Sequence, residues 1–352
     1  MTHRVRGLER SVPAFWALVA LLGCGGSGGG GDDYGGSAAC PTLNAGFEIV
    51  EYQPGRRAAL WYPTTEAAHP YLYPGQTAQL GQVAAGAGVA DCARFPLVVF
   101  SHGDTGCGTQ SIFITEEIAR RGYVVIAPDH LDALCSVDGG PARGPDPNPE
   151  PGFAEPENWT DQAHVDRRDD VEDATDWALA DPDLAPHIDA ARLAMMGHSL
   201  GGYTALAIVG GWSRWHDPRF QAALLFSPYL TPYLETGALP TQVHVPLMYQ
   251  GGTADLGVTP YIAGPTRAYP AGAYDVSNPP KYFAELSGAG HLFWTNFTCA
   301  QGASIAACYV DEPDTALLVN YGAAFLDRHL RGASEPLLDS GPGFATYESQ
   351  PN

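Results

Sequence analysis

The sequence is poor in basic residues. Its 18 lysines and arginines face 39 aspartates and glutamates, the formal net charge is −21, and Lys281 is the only lysine. A nucleic-acid-binding surface needs clustered basic side chains that displace counterions from phosphates, so this class of partner is excluded. An anionic membrane surface would repel the chain for the same reason.

Metal-binding patterns are also lacking. The cysteines form no Cys-x-x-Cys pair and no cluster with histidine, so no zinc site is expected. The acidic stretches 169–176 and 181–189 do not follow the spacing of a calcium-binding EF-hand loop, and we interpret them as solvated helix surface. We therefore expect neither a metal nor an organic cofactor.

No apolar run near the N-terminus is long enough to span a membrane. Residues 12–23 follow three arginines and reach little more than half of the ~20 residues that such a helix needs, which predicts a signal peptide over 1–23. The sequence LLGC that ends at Cys24 looks like a bacterial lipobox, which implies cleavage before Cys24 and its lipidation. Residues 24–45 would then be a flexible tether of an outer-membrane lipoprotein. The alternative is a plain secretory signal and a secreted protein.

The cysteine count agrees with export. Six cysteines remain after Cys24, and an even number in an oxidising compartment suggests disulfides. Six cysteines allow 15 connectivities. We expect the pairs Cys299–Cys308, which closes a short loop, Cys107–Cys135, which follows neighbouring strands, and Cys40–Cys92, with free buried thiols as the alternative.

Apolar runs alternate with helical patterns along the chain. This alternation is typical of an α/β fold with a mostly parallel sheet covered by helices on both faces. We expect one domain, a monomer, over residues 46–335, with an irregular, lid-like insertion at 138–157 and a tail at 336–352. The expected strands are 46–52, 58–62, 97–101, 124–127, 193–196, 222–226, 247–250 and 282–286, and the expected helices are 110–121, 165–180, 200–209 and 314–331.

The motif GHSLGG follows one of these strands directly and precedes a helical run. Glycines at 197 and 201 permit a tight strand-to-helix turn that exposes a serine hydroxyl above the sheet, so Ser199 is the candidate nucleophile. Serine needs a base to accept its proton and an acid to orient that base.

Two later loops supply these groups. Asp255 follows the strand at 247–250, at the sheet edge where catalytic loops gather, and is the candidate acid. His291 lies in a Gly-rich loop after the last expected strand and is the candidate base. The order Ser, Asp, His is the one that this fold uses. His102 and His198 lie inside strand–turn motifs and are interpreted as packed or hydrogen-bonded supports.

An oxyanion also needs hydrogen-bond donors. The strand at 97–101 runs into His102-Gly103-Asp104, the position from which this fold supplies one backbone amide, and the residue after the nucleophile supplies the other. We assign the main-chain amides of Asp104 and Leu200. A carboxylate on Asp104 would oppose the developing charge unless it points away.

Several segments carry a resemblance to known families. In chain order they are LWYPTTEA, PLVVFSHGDTG, IARRGYVVIAPDH, RRDDV, MMGHSLGG and GAGHLFWTNF. They resemble the platelet-activating-factor acetylhydrolase and dienelactone-hydrolase-like branch of the α/β-hydrolases, and the layout is similar to that of bacterial cutinases and polyester hydrolases. The resemblance spans most of residues 47–330.

The resemblance implies a serine ester hydrolase but does not specify the ester. Dienelactone hydrolases use a cysteine where Ser199 stands. Acetylhydrolases place the acid one strand earlier, where this chain has no carboxylate, so Asp255 follows the polyester-hydrolase pattern. That pattern makes Tyr229, Phe293 and Trp294 a hydrophobic substrate platform, with core packing as the alternative. The substrate could be a small, lipid or polymeric ester, and a non-catalytic binding module is the competing class.

Overall fold

The apolar runs of the sequence form the strands of one mixed sheet. The computed structural model describes residues 40–74, 79–144, 150–299 and 302–352. Within these ranges the strands are β1 Asn44–Gln53, β2 Arg56–Thr64, β3 His69–Tyr73, β4 Gln79–Ala85, β5 Phe95–Ser101, β6 Val124–Pro128, β7 Ile188–His198, β8 Phe220–Phe226, β9 Leu247–Gly252, β10 Lys281–Leu286 and β11 Thr346–Gln350.

The strand order is β11-β10-β9-β8-β7-β5-β6-β2-β1-β4-β3. The six strands from β10 to β6 pair in parallel, whereas β11, β2 and β1 add antiparallel neighbours. The carboxyl ends of the parallel strands therefore meet at one edge of the sheet, as the alternating pattern predicts.

Helices cover both faces of the sheet. They are α1 Ile112–Arg120, α2 Val165–Ala180, α3 Leu200–Leu206, α4 Thr231–Thr236, α5 Leu239–Gln242, α6 Ala273–Val276, α7 Ile305–Asp311 and α8 Pro313–Arg331. No helix in the described ranges is long and apolar enough to cross a membrane.

Alternate residues of the central strands enter two separate cores. On β5, Leu97 and Val99 pack with α2 and α3, while Val98 and Phe100 pack with α1 and α8. All four side chains are fully buried. Burial on both faces explains why this strand reads as a continuous hydrophobic run.

Both ends of the domain extend further than the sequence suggests. The tail expected at 336–352 contains β11, which pairs with β10 through polar and half-buried residues that give no strong strand signal. Part of the tether expected at 24–45 belongs to β1, which begins at Asn44. The signal peptide expected at 1–23 and the lipidation expected at Cys24 fall outside the described residues.

Three disulfides join the pairs expected from the sequence. Cys40 is bonded to Cys92, Cys107 to Cys135, and Cys299 to Cys308. The second bond ties the loop after β5 to the loop after β6, which are neighbouring parallel strands. Structural disulfides form in oxidising compartments, so they indicate an extracytoplasmic protein.

The single lysine is not a surface residue. Lys281, at the start of β10, is only 4% exposed, and its ammonium group donates to the carbonyl oxygens of Tyr274 and Asp275. The ammonium also lies 4.9 Å from the centre of the Tyr274 ring. Burial lowers the pKa of Lys281.

We predict that Gly201→Ala destabilises the fold. The added methyl group would overlap the carbonyl group of Ser101, where α3 crosses the end of β5. The expected loss is about 3 kcal/mol in the free energy of unfolding, measured by chemical denaturation. Gly152→Ala is the control, since nothing lies within 4 Å of its methyl position. Equal stability of the two variants would contradict this close approach.

Candidate active site

Ser199 lies in a strained turn between β7 and α3. Its φ of 55° and ψ of −117° are unfavourable for a residue with a side chain. The turn is held by hydrogen bonds from the Ser199 amide to Phe226 and from the Tyr229 amide to the Ser199 carbonyl, each 3.0 Å. Such strain is concentrated at functional sites, and here it lifts the hydroxyl above the sheet edge.

The three residues selected as nucleophile, acid and base lie together. Nε2 of His291 is 2.8 Å from the Ser199 hydroxyl, and Nδ1 of His291 is 2.8 Å from Oδ2 of Asp255. Asp255 follows β9 and His291 follows β10, so adjacent strands deliver them to the same edge. A carboxylate can only accept here, so Nδ1 carries the proton and Nε2 is free to accept from Ser199.

Ser227 is an additional member of this group. It follows β8 with a φ of 41°. Its hydroxyl bonds to the Asp255 carboxylate and lies 3.0 Å from Nδ1 of His291. This is the position at which acetylhydrolases are expected to carry their acid, and a hydroxyl occupies it here while the carboxylate reaches in from the next strand.

These hydrogen bonds keep Asp255 ionised. Burial alone would raise its pKa, but the hydrogen bonds from His291 and Ser227 favour the carboxylate and the pKa is lowered overall. An ionised Asp255 is what the imidazole needs to remain in the Nδ1–H tautomer and to become positively charged.

The loop at residues 102–106, here called the oxyanion loop after the role that the sequence predicts for it, follows β5 and faces Ser199. Gly103 and Asp104 line the cleft, and the Gly103 amide donates to Oε1 of Gln110 at 3.0 Å. Thr105 has a φ of 60°, and its amide donates to Asp132. Leu200 is the first residue of α3, where an amide has no acceptor within the helix.

Arg167 holds the oxyanion loop from below. Its fully buried guanidinium donates to the carbonyl oxygens of His102 at 2.7 Å and Gly103 at 3.2 Å. Two further N–H groups donate to the two carboxylate oxygens of Asp132, at 3.1 and 2.7 Å. With these carbonyl groups turned inward towards Arg167, the loop has a fixed backbone orientation.

The Asp104 side chain is directed towards another carboxylate. Burial and the negative charge of Asp132, to which it hydrogen-bonds, raise the pKa of Asp104. Asp132 itself pairs with Arg167 at 2.7 Å. The side chain that could oppose an oxyanion is thus drawn into a shared acid–arginine group.

A second Ser-His-Asp row lies beneath the loop. Oγ of Ser101 is 2.8 Å from Nε2 of His130, and Nδ1 of His130 is 3.2 Å from Asp170. All three side chains are fully buried, so no substrate can reach this serine. Asp170 also accepts from Arg143 at 2.6 Å. We interpret this row as structural support.

A cleft of about 900 Å³ opens over Ser199. One wall contains Tyr229 and Phe153, the latter from the insertion, and their rings meet edge to face with centroids 5.0 Å apart. Among the described residues, the cleft is lined by Gly103, Asp104, Thr105, Gln110, Phe153, His198, Ser199, Tyr229, Asp255, Gly257, Val258, His291, Leu292, Thr295 and Phe297.

Phe293 and Trp294 do not belong to this lining, which corrects their expected role. Both residues lie in a 3₁₀ turn at His291–Trp294, and neither lines the cleft. Trp294 is fully buried and donates to Gln250, and Phe293 packs against the core beside it. From this part of the chain, Leu292 and Phe297 line the cleft instead.

The sequence reading missed the supporting residues of the site. Arg167 lies in the RRDDV segment, whose buried arginine had no assigned role. Ser227 and Gln110 carry no motif, and only the structure brings them to Asp255 and Gly103. Their side chains act through hydrogen bonds between distant segments, which periodicity cannot indicate.

Sheet order, strained serine turn and flanking helices together define the α/β-hydrolase fold. The family described as platelet-activating factor acetylhydrolase, isoform II, matches residues 77–139, a segment that contains β5, the oxyanion loop, α1 and β6. The expected resemblance to this branch is confirmed over that segment. The search of curated proteins gave no match.

Ser227→Ala should lower kcat/KM about tenfold, because a hydrogen bond to a charged group contributes roughly 1.5–3 kcal/mol. Its loss raises the pKa of Asp255. The carboxylate then takes up a proton at higher pH, so the ratio of the variant's kcat/KM to that of wild type should fall further as the assay pH is lowered.

Ser277→Ala is the matched control for this variant. Ser277 is a buried hydroxyl that bonds to Tyr249 and Ala273 and does not line the cleft. Its pH profile of kcat/KM should match that of the wild type. If the Ser227→Ala profile also superimposes on the wild type, Ser227 does not support Asp255.

Proposed function

We propose that the protein is a serine hydrolase that cleaves carboxylic esters through an acyl-enzyme. The observation that carries the proposal is the hydrogen-bonded row Ser199–His291–Asp255 at the floor of an open cleft. The similarity to an acetylhydrolase family supports the same class of reaction.

In the first half-reaction, Ser199 attacks the ester carbonyl while Nε2 of His291 accepts its proton. The carbonyl becomes an oxyanion, which the amides of Asp104 and Leu200 stabilise, each contributing about 3 kcal/mol. His291 then returns the proton to the departing alcohol, and Ser199 remains acylated. Asp255 stabilises the imidazolium throughout.

The second half-reaction repeats these steps with water. His291 accepts a proton from water, the resulting hydroxide attacks the acyl-enzyme, and the proton returns to Ser199 as the acid leaves. Each proton removed is restored within one turnover, so the residues present complete the cycle.

Ser199→Ala should reduce p-nitrophenyl ester hydrolysis by more than about a thousandfold and abolish labelling by a fluorophosphonate probe. Ser101→Ala is the matched control, because Ser101 heads the buried second row. That variant should retain labelling. If labelling were lost only in the Ser101 variant, the reactive serine would be Ser101 and the proposal would be wrong. An unlabelled wild type would favour a binding module.

The apolar lining of the cleft favours an uncharged, apolar substrate. Its walls are mainly apolar, and four large hydrophobic side chains are exposed in or beside it: Phe153 at 44%, Leu256 at 79%, Leu292 at 51% and Phe297 at 55%. Exposed apolar patches of this kind mark interaction sites. This rim favours a polymeric or aggregated ester as a second candidate substrate beside a small soluble or lipid ester.

Phe153→Ala tests the wall that the insertion provides. Phe153 packs on Tyr229 and Trp159, and Tyr229 donates to the Phe153 carbonyl. We expect kcat/KM for p-nitrophenyl benzoate to fall about tenfold, since an aromatic contact is worth roughly 0.5–1.5 kcal/mol beyond area burial. Hydrolysis of p-nitrophenyl acetate should change less than about twofold.

Leu72→Ala is the control, as Leu72 is exposed on β3 and does not line the cleft. A Phe153 variant with unchanged preference would exclude this residue from the substrate site. Release of products from a polyester film, compared between both variants, separates the polymeric from the soluble substrate.

We further propose that Cys24 carries a lipid anchor on an exported monomer. The lipobox-like LLGC and the Gly-rich stretch after it support this placement. The disulfides support export itself. Mass spectrometry of the mature N-terminus tests the anchor, and an unmodified N-terminal residue would overturn it.

A further inference from the structure

A hydrogen-bond chain joins the oxyanion loop to the loop that carries His291. The Gly103 amide donates to Oε1 of Gln110 at 3.0 Å. Nε2 of Gln110 lies 2.9 Å from Nδ1 of His198. Nε2 of His198 lies 2.8 Å from the carbonyl oxygen of His291. Gln110 and His198 are both buried, at 9% and 2% exposure.

The direction of every link in this positioning chain is fixed. The carbonyl oxygen of His291 can only accept, so Nε2 of His198 carries the proton and Nδ1 must accept. Gln110 therefore presents its amide nitrogen to His198 and its oxygen to Gly103. Each of the three links thus joins one donor to one acceptor.

A neutral His198 ring is required, and the surroundings keep it neutral. Burial lowers the pKa of His198 to about 3, and the neighbouring His291 acts in the same direction. The hydrogen bond to the His291 backbone and the charge of Asp255 act against this shift. The ring should stay unprotonated across the range in which an esterase works.

We propose that Gln110 and His198 are positioning residues that set the separation between the oxyanion donors and the general base. The inference rests on the proposed function, because it assigns roles within that site. Gly103 immediately precedes the Asp104 amide, and the His291 carbonyl belongs to the residue whose ring accepts the serine proton. Loops after β5 and β10 are thereby connected by side chains that do not themselves react.

The chain should affect kcat more than KM. A displacement of about 1 Å between catalytic groups can cost roughly 10²-fold in rate. Gln110→Ala and His198→Phe each break the chain, so each should lower kcat roughly 10- to 100-fold with little change in KM. The kcat of the double variant should be no lower than that of the less active single variant, because both substitutions remove the same connection.

The decisive variant is Gln110→Glu, which keeps the shape but removes the amide protons. The introduced carboxylate and Nδ1 of His198 would then face each other as two acceptors. One additional proton on this pair restores the chain, so the activity of the variant relative to wild type should rise as the pH falls. The same ratio for Gln110→Ala should not vary with pH. The Gln221→Glu variant, at an exposed amide that bonds to Ala191, is the control and should match wild type.

Nitrogen-15 NMR of the histidine rings supplies a readout that does not depend on turnover. Wild type should show His198 as the neutral Nε2–H tautomer, and Gln110→Glu should shift its titration upward. A pH-independent activity ratio for Gln110→Glu, or additive losses in the double variant, would overturn the inference. Fluorophosphonate labelling of wild type is measured alongside: its absence would refute the proposed function, whereas normal labelling with a flat ratio would refute only the positioning role.

Discussion

The geometry around Ser199 depends on one buried cation, the guanidinium of Arg167. It comes from α2 and donates to the carbonyl oxygens of His102 and Gly103. The oxyanion loop is therefore fixed by a helix that lies far from it in the sequence. A buried charge is tolerated only when it is fully paired, and Asp132 supplies the counter-charge. The same carboxylate accepts from the Thr105 amide, which joins the cation to the strained part of the loop.

The parallel sheet sets the positions of the other site residues. Parallel strands bring Ser199, Ser227, Asp255 and His291 to one edge from the ends of four consecutive neighbours, β7 to β10. Hydrogen bonds from neighbouring side chains then fix the distances between these residues. Ser227 donates a hydrogen bond to Asp255, while Gln110 and His198 connect the loops after β5 and β10.

The sequence predicted those parts of the molecule that leave a periodic or motif signal. The central strands, the four expected helices α1, α2, α3 and α8, and the Ser199–Asp255–His291 proximity follow from hydrophobic runs and from sequence motifs. Strands β3, β4 and β11 were not predicted because they are short and contain polar residues at the margins of the sheet. The role expected for Trp294 was wrong because its ring is fully buried and donates to Gln250, and composition does not indicate which aromatic side chain is buried.

The burial of Lys281 has a practical corollary for handling this protein. With the only side-chain amine of the sequence engaged by two carbonyl groups inside the fold, amine-directed dyes, cross-linkers and resins find no side-chain partner on its exterior. Attachment to a support would have to proceed through carboxyl groups, of which the strongly acidic exterior offers many.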